Sequence, residues 1–455
     1  MTLLMPGSAQ LVAGNKRVGR IAVRVWLGCL ATGLLTLGLG YVWRGFAFWL
    51  AFDGFASGFL RVVLTLLAIG WALLLIDAWR LGQPLGLAQR QRLVLVGLNG
   101  LTVFAVAGSL LFASHLLAVK SEFIGAVFGN GPASAAEHGR FNVLLVGGDK
   151  GAGRWGLRTD SMTVASVDEE TGKTVLFGLP RNMTDFPFPE GTPLAEAYPD
   201  GYDCGEECTL NSLATWAADH QDEFEGSANP GSDATIMGVE GITGLKINYY
   251  ALVDMAAFEG LVDAMGGLTL NVRDRIPVEF PAERWIEPGV QKLDGYETLW
   301  FARARETADD YSRMARQKCV MSAMLQQISP QEVLMKFEEF AAAGEALVET
   351  DLPASELDTF AELALKARSQ KLATVSFVPP TINTSDPDIE KIREMVDAAV
   401  DRSDGDGDGG DQGGERAGGP RKGFSHRGGT STGGSLGSLS DGYVANQTED
   451  LSKAC

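Results

Sequence analysis

Two aspartates at predicted strand ends are the residues of this sequence best suited to bind a metal ion. Asp149 follows a buried apolar run at 141–146, and Asp160 lies just before the next β-rich run. Ligands commonly bind at the carboxyl ends of strands in open α/β sheets. Two carboxylates placed there can hold a hard dication such as Mg²⁺ and leave coordination positions for phosphate oxygens. Asp149 and Asp160 are therefore the candidate metal ligands.

Arginines recur near the same strand ends and in one later region of the chain. They are Arg158, Arg181, Arg303, Arg305, Arg313 and Arg316. The planar guanidinium group is well suited to bidentate recognition of phosphate. Any one of these arginines alone is better explained by a surface salt bridge with one of the abundant acids. The whole set, beside two aspartates, favours an anion site.

The elements that must position these residues alternate between strands and helices. The run at 141–146 is typical of a buried central strand, and 162–167 and 174–179 predict two more strands around the polar turn 168–173. Helical spacing follows at 210–220, 254–265, 296–305, 311–328, 330–347, 353–366 and 388–400. This order predicts an α/β domain, a mixed sheet with helices on both faces.

Three apolar stretches precede this domain, at 25–42, 59–78 and 93–119. Each is long enough to cross a bilayer as a helix. Basic residues cluster before the first stretch and between the second and third, which by the positive-inside rule are cytoplasmic. We therefore expect three transmembrane helices in a multi-pass protein of the cell membrane, with an extracytoplasmic domain.

Two details of this region have competing interpretations. A cleaved signal peptide would explain the first apolar stretch, but two more spans follow and no small-residue cleavage site precedes Trp43. The aromatic stretch at 46–55 is short and contains Asp53, so we expect an interfacial loop there.

Charge divides the chain in the same way. Residues 1–120 hold ten Lys and Arg against two Asp, a charge of +8, so the remainder carries −27 of the total of −19. An acidic soluble part argues against nucleic acid as a partner. Beyond residue 400 the chain is rich in Gly, Asp and Ser and has too few apolar side chains to order itself. The expected organisation is a cytoplasmic N-terminus at 1–24, transmembrane helices within 25–119, a linker at 120–140, a catalytic domain at 141–400 and a disordered tail at 401–455.

Cysteine usage suits an exported domain. Cys204 and Cys208 could close a small disulfide loop, which an oxidising compartment permits. A zinc site is the alternative, but two thiols and four histidines are a thin ligand set. Cys319 is either free or a competing partner.

One nucleotide-binding motif is present but lacks its context. Residues 151–156 match G-x-G-x-x-G, which needs a helix directly after it to direct its amino terminus at pyrophosphate. A strand-like run follows instead, so this motif does not indicate a dinucleotide fold.

The motifs at 141–400 resemble those of the LytR-CpsA-Psr family, and they recur in order at matching spacing. They are NVLLVGGD at 142–149, RTDSM at 158–162, LPRN at 179–182, GITGLKINYY at 241–250, LVDAMGG at 261–267, PG at 288–289, LDG at 293–295, RAR at 303–305 and DYSRxxRQ at 310–317. Gly148 and Asn182 depart from the usual pattern, but neither replaces a candidate ligand. The three-span anchor and the CGEEC insert at 204–208 are similar to actinobacterial members.

This resemblance implies an extracytoplasmic phosphotransferase. It implies that Asp149 and Asp160 bind Mg²⁺ at a polyprenyl pyrophosphate head group. The residues that it places around the pyrophosphate are Arg158, Arg181, Arg303, Arg305, Arg313 and Gln317. The lipid would enter an apolar tunnel between sheet and helices, whose lining the sequence does not locate.

The reaction implied is transfer of a glycopolymer from its polyprenyl-pyrophosphate carrier to peptidoglycan. Phosphoryl transfer depends mainly on positioning and charge neutralisation, which makes Arg181 a catalytic residue alongside the metal. Asp310 is a candidate proton acceptor, although an ion pair with a neighbouring arginine explains it equally well. A non-catalytic lipid-pyrophosphate sensor and a hydrolase with water as acceptor are the alternatives.

Overall fold

The computed structural model describes most of the chain in two units. The residues described are 5–83, 86, 88–128, 131–149, 158–205, 207–279, 281, 284–304, 310–327, 348–405, 446 and 450–451. The first unit is mainly the N-terminal 126 residues, and the second contains the sheet.

The N-terminal unit is helical. Its helices are α1 (Ser8–Ala13), α2 (Lys16–Val42), α3 (Arg44–Phe52), α4 (Gly54–Leu81) and α5 (Gln89–Val127). Three segments are long and apolar enough to cross a membrane: Lys16–Val42, Gly54–Leu81 and Gln89–Gly125. The three predicted membrane helices are therefore confirmed as helices.

The expected interfacial loop at 46–55 is wrong, because α3 occupies most of it. Asp53 ends α3, where its N–H donates to the Trp49 carbonyl. The same residue begins α4, because its carboxylate accepts from the Ala56 N–H at 2.6 Å. One acidic residue between two apolar runs thus works as a helix cap rather than as part of a loop.

The second unit is built on a six-stranded mixed sheet. Its strands are β1 (Arg140–Asp149), β2 (Arg158–Asp168), β3 (Thr174–Leu179), β4 (Tyr249–Asp254), β9 (Val348–Thr350) and β10 (Ala373–Ser376). Their order is β10-β3-β2-β1-β4-β9. The pairs β1–β2, β2–β3 and β4–β9 are antiparallel, whereas β1–β4 and β3–β10 are parallel. Every residue of β3 is buried.

Two small antiparallel sheets of two strands each complete the strands of the described residues. The pairs are β5 (Leu268–Val272) with β8 (Gly289–Leu293) and β6 (Ile276–Val278) with β7 (Arg284–Ile286). The later helices are α6 (Pro193–Ala197), α7 (Leu213–Asp219), α8 (Pro230–Thr243), α9 (Met255–Ala264), α10 (Gly295–Arg303), α11 (Asp310–Gln327), α12 (Leu357–Arg368) and α13 (Ile389–Gly405).

Side chains that alternate along β2 reach different cores. Val164 belongs to the main core with residues of α7, α8 and α13. Its neighbour Ala165 belongs to a cluster that includes Met321 of α11. Successive strand residues point to opposite faces, so helices cover both faces and the predicted fold class is confirmed.

The helix predicted at 388–400 is α13, which continues to Gly405. Asp404 in its last turn forms an ion pair with the buried Arg140 of β1 at 2.6 Å. The rest of the predicted disordered tail is mostly outside the described residues, as is the helix predicted at 330–347. Asn446 and Leu451 are described, and each is only 1% exposed.

Helix α10 leads directly to Arg303 and begins with a complete capping box. The Asp294 carboxylate accepts from the Glu297 N–H at 2.8 Å, and the Glu297 carboxylate accepts from the Asp294 N–H. We expect Asp294→Ala to lower the free energy of unfolding by about 1 kcal/mol, because amide groups of the first turn lose their acceptor. Chemical denaturation measures this loss. Asp294→Asn is the control and should keep most of the stability, since asparagine caps equally well; equal losses in both variants would contradict the capping role.

Candidate functional site

Asp160 occupies a β-bulge between β1 and β2. Gly147 pairs with Ser161 and Gly148 pairs with Thr159, so Asp160 is the extra residue of β2. A bulge redirects a side chain and is common beside active sites. The Asp160 side chain is 43% exposed, which leaves its carboxylate accessible at the end of the sheet.

Arg181 connects this carboxylate to a second one. It follows β3 by two residues, so the end of that strand positions it beside the bulge. Its Nη1 donates to Asp160 Oδ1, and its Nε donates to Asp310 Oδ1 at 3.2 Å. The guanidinium group therefore lies between two carboxylates that are 150 residues apart in sequence.

Arg313 approaches the same point from α11. Its Nε and Nη2 donate to Asp310 Oδ1 and Oδ2 at 3.2 and 3.1 Å, and its Nη1 donates to the backbone carbonyl of Asp160. Asp310 and Arg313 are one helical turn apart, which allows this contact. The Arg313 side chain is only 4% exposed. Asp160, Arg181, Asp310 and Arg313 form one group, which we call the arginine–aspartate cluster.

The other predicted phosphate ligands lie at varying distances from this cluster. Gln317, one turn after Arg313, lines a pocket together with Asp160 and donates to the Ala302 carbonyl at 3.5 Å. Arg303 is exposed; it stacks on Trp300 and donates to Met255 Sδ at 3.0 Å. No described contact joins Arg303 to the cluster. Arg305 lies outside the described residues.

Arg316 lies outside the arginine–aspartate cluster and has a structural role. It is fully buried, donates to the Ala304 carbonyl and lies over the Phe301 ring. These contacts hold the end of α10 against α11. They explain why an arginine occurs here without invoking phosphate.

The backbone brings the two predicted metal ligands to adjacent strand ends. Asp149 of β1 pairs with Arg158 of β2. Arg158 is two residues before Asp160. The side chains of Asp149 and Arg158 are outside the described part of the structure, so their predicted roles stay predictions. Hard oxygen donors on neighbouring strands suit Mg²⁺. Among the described side chains, no group of three or more His, Cys, Asp or Glu could hold a metal ion.

A narrow apolar groove leads away from Asp160 between the sheet and α11. The residues from the sheet are Ser161, Met162, Thr163, Leu176, Gly178, Leu179, Thr374 and Ser376; those from α11 are Met314, Gln317, Lys318 and Met321. Its cavity volume is about 30 Å³, room for one or two water molecules. Met314 and Met321 of α11 line it, and their flexible side chains can repack around an apolar guest.

Lys318 is the residue of this groove that sequence patterns missed. Its Nζ donates to the Asn446 carbonyl at 3.0 Å and lies 3.4 Å from Thr374 Oγ1. Burial lowers the pKa of the Lys318 ammonium to about 7. Only its place on α11, directly after Gln317, could have drawn attention to it.

Cys204 and Cys208 form a disulfide with a Cα–Cα distance of 5.3 Å. This bridge uses both thiols of the zinc alternative. Cys319 is buried in α11 and is itself disulfide-bonded. Because Cys204 and Cys208 pair with each other, the expectation that Cys319 is free or competes for one of them is wrong.

The profile of the LytR_cpsA_psr family matches residues 118–392. The chain belongs to this family. The match contains the described sheet, the arginine–aspartate cluster and the residues that line the groove.

Curated relatives are about a quarter identical to the chain over the regions that align. Biofilm regulatory protein A of Streptococcus mutans is 26% identical over 276 residues, 58% of this chain and 62% of the relative. The polyisoprenyl-teichoic acid–peptidoglycan teichoic acid transferase TagU of Oceanobacillus iheyensis is 27% identical, over 48% of this chain and 61% of its own. The probable cell wall biosynthesis protein LcpB of Corynebacterium glutamicum is 27% identical, over 55% and 52%. The chain thus covers less than two thirds of each relative.

Among solved structures, TagV of Bacillus subtilis is similar to the chain. It shares 21% sequence identity and a TM-score of 0.42, covering 59% of this chain and 98% of TagV.

Removing the carboxylate between the two arginines should destabilise the cluster. We expect Asp310→Ala to lower the free energy of unfolding by about 1–3 kcal/mol, because two guanidinium groups lose a shared acceptor. Added inorganic pyrophosphate should restore much of the loss by replacing the negative charge, which thermal melts measure. Glu287→Ala is the control; it breaks an exposed pair with Arg275 and should cost under about 0.5 kcal/mol. An equal response of both variants to pyrophosphate would contradict an anion site at the cluster.

Lys318 should make stability depend on pH. The pKa is about 7 in the folded protein and 10.5 ordinarily, so the unfolded chain binds more protons between these values and stability rises with pH. This group contributes at most about 1.4 kcal/mol per pH unit in that window. Lys318→Met should flatten the rise in unfolding curves taken from pH 7 to 9.5. The exposed Lys391→Met is the control, and a slope unchanged in Lys318→Met would show that burial does not discharge this lysine.

Proposed function

We propose that this protein transfers a glycopolymer from a polyprenyl-pyrophosphate carrier to peptidoglycan, in a Mg²⁺-dependent phosphotransfer outside the cell membrane. The observation that carries the proposal is the arginine–aspartate cluster at the mouth of an apolar groove. Two converging guanidinium groups suit a diphosphate, and the groove suits a lipid chain. The name of the TagU relative, a transferase of polyisoprenyl-linked teichoic acid to peptidoglycan, supports the same chemistry.

The cluster supports a division of roles between its residues. Arg181 and Arg313 would bind the non-bridging oxygens of the diphosphate and neutralise the charge that shifts to the leaving polyprenyl phosphate. Both carboxylate oxygens of Asp310 accept from these arginines. This arrangement favours a positioning role for Asp310 over that of proton acceptor.

Asp160 and Asp149 would hold the magnesium ion. A bound Mg²⁺ would polarise the phosphoryl group and add positive charge beside the leaving oxygen. Asp160 fits this task because its carboxylate is accessible at the bulge. The ion pair with Arg181 keeps that carboxylate oriented until the ligand binds.

The groove must widen to admit a lipid chain, since its present volume holds one or two waters. The side chains of Met314 and Met321 provide the adaptable walls for this change. A lipid pyrophosphate placed along it would have its head at Asp160 and its chain between the sheet and α11.

One coupled assay distinguishes transfer from its two alternatives. Purified protein is incubated with Mg²⁺, a polyprenyl-pyrophosphate-linked glycan and cell-wall fragments. Glycan coupled to the wall indicates a transferase, free glycan phosphate indicates a hydrolase, and tight binding without turnover indicates a non-catalytic sensor. The Streptococcus mutans relative is named a biofilm regulatory protein.

We expect the loss of either Asp160 or Arg181 to abolish most of the coupling. Asp160→Ala and Arg181→Ala should each lower the rate by about 10²–10³-fold, the usual effect of removing one charge-stabilising group. Arg275→Ala, an exposed arginine that contacts Trp285 and Glu287, is the control and should react at the wild-type rate. Full activity in Arg181→Ala would remove the cluster from the mechanism.

A further inference from the structure

Helix α10 presents a row of aromatic and charged side chains on one of its faces. Tyr296, Trp300 and Arg303 follow one another at spacings of four and three residues, which places them on the same face of the helix. Both rings pack against the neighbouring core and are partly buried, whereas Arg303 is exposed. Arg284 of β7 extends the row, because its guanidinium group lies 5.9 Å from the centre of the Tyr296 ring. We call Arg284, Tyr296, Trp300 and Arg303 the α10 row.

Contacts within the α10 row hold its rings in place. The Tyr296 hydroxyl donates to Glu279 Oε1 at 2.7 Å, and the Tyr296 and Trp300 rings meet edge to face with their centres 6.3 Å apart. The Arg303 guanidinium group lies 5.0 Å from the centre of the Trp300 ring. Consecutive members of the row are therefore spaced by about the length of one sugar residue in a chain.

The chemistry of the α10 row suits an uncharged glycan chain. The negative face of an aromatic ring attracts the weakly positive C–H groups of a sugar ring. Arginine and glutamate side chains beside such rings can donate to and accept from hydroxyl groups. Arg284 is paired with Glu297 at 3.8 Å, and its side chain is 54% exposed. Exposed ion pairs and cation–π contacts are weak, so a sugar can displace a guanidinium group from a ring, while Glu279 and Glu297 would repel an anionic polymer.

The Arg303 end of the row lies beside the end of β1. Arg303 Nη1 is 3.0 Å from Met255 Sδ, and Met255 directly follows Asp254, the last residue of β4. Asp254 pairs with Gly148 of β1, the residue before Asp149. The row therefore approaches the strand ends of the candidate site from the β4 side.

The apolar groove leaves these strand ends in the opposite direction. It begins at Asp160 of β2 and is lined by residues of β2, β3 and β10. Because the strand order is β10-β3-β2-β1-β4, the groove and the α10 row lie on opposite sides of the ends of β2 and β1. In an in-line displacement the attacking and leaving oxygens are on opposite sides of the phosphorus. If polyprenyl phosphate leaves toward the groove, the attacking hydroxyl comes from the side of the α10 row.

We propose that the α10 row binds the acceptor, an uncharged glycan strand of peptidoglycan, and directs one of its hydroxyl groups at the diphosphate. This inference rests on the proposed function, because it needs a transfer reaction. The hydroxyl oxygen would form a bond to the phosphorus that carries the glycopolymer. The bond from that phosphorus to the bridging oxygen would break, polyprenyl phosphate would leave, and the hydroxyl proton would pass to solvent water.

The kinetics of the coupled assay test this assignment. We expect Tyr296→Ala to raise the apparent KM for wall fragments about three- to tenfold, because one stacking surface is lost. The kcat and the KM for the lipid-linked glycan should stay near the wild-type values, since the described contacts of Tyr296 include no candidate diphosphate ligand. A role in stability alone would not raise the KM for one substrate only.

Trp285→Ala is the matched control. Trp285 also has an arginine over its ring, because the Arg275 guanidinium group lies 4.4 Å from the ring centre. Trp285 directly follows Arg284 on β7, so the two side chains point to opposite faces of that strand. Its replacement should leave both KM values unchanged.

Binding of a sugar chain tests the surface without the reaction. The probe is tetra-N-acetylchitotetraose, an uncharged chain of N-acetylated sugars, titrated into the full chain in detergent micelles. The wild type should bind it, Tyr296→Ala and Trp300→Ala should bind it about three- to tenfold more weakly, and Trp285→Ala should bind it as the wild type does. In the wild type, the amides of α10 should exchange with deuterium more slowly when the probe is bound, which keeps the test valid if a variant fails to fold.

Several results would overturn the inference. They are an unchanged KM for wall fragments in Tyr296→Ala, an equal loss in Trp285→Ala, no binding of the probe by the wild type, and protection by the probe of amides outside α10 alone. A raised KM for the lipid-linked glycan instead of the wall fragments would assign the row to the donor and also overturn it.

The failures of the two proposals can be told apart. If the wild type couples glycan to the wall and Tyr296→Ala keeps the wild-type KM for wall fragments, transfer stands and the acceptor surface is wrong. If the wild type couples no glycan to the wall, the proposed transfer itself is wrong.

Discussion

The repulsion between Arg181 and Arg313 is the constraint around which this site is organised. Two guanidinium groups come from the end of β3 and the start of α11, and one of them is almost fully buried. Like charges placed so close need negative partners, and Asp310 and Asp160 supply them. Under the proposed function, a diphosphate would bring the negative charge that the carboxylates now provide.

The fold explains how this convergence is reached. The bulge at Asp160, the end of β3 and the first turn of α11 meet at one end of the sheet, while the main core lies against the other face. The charged side chains therefore lie at the end of the strands. The apolar groove continues from them between β2 and α11. Head group and chain of one amphipathic ligand would each meet a matching surface.

Sequence patterns predicted the parts of this arrangement that are local. Asp160, Arg181 and Arg313 belong to short motifs beside strand ends or on one helix face. Such motifs can be recognised without knowledge of tertiary contacts. The groove could not be found in this way, because Leu176, Met321 and Thr374 come from distant elements and share no motif. Composition predicted a loop where α3 lies, because Asp53 was not recognised as a helix cap. It also gave no sign that Leu451 is buried, since one leucine barely changes the composition of a polar tail.

The most direct test of the diphosphate site is a crystal structure of the protein with Mg²⁺ and a prenyl pyrophosphate. Our account predicts the diphosphate in contact with Arg181 and Arg313, the metal ion at Asp160, and the prenyl chain between α11 and the sheet. A diphosphate bound elsewhere, with Arg181 still paired to Asp160 and Asp310 as described above, would contradict it.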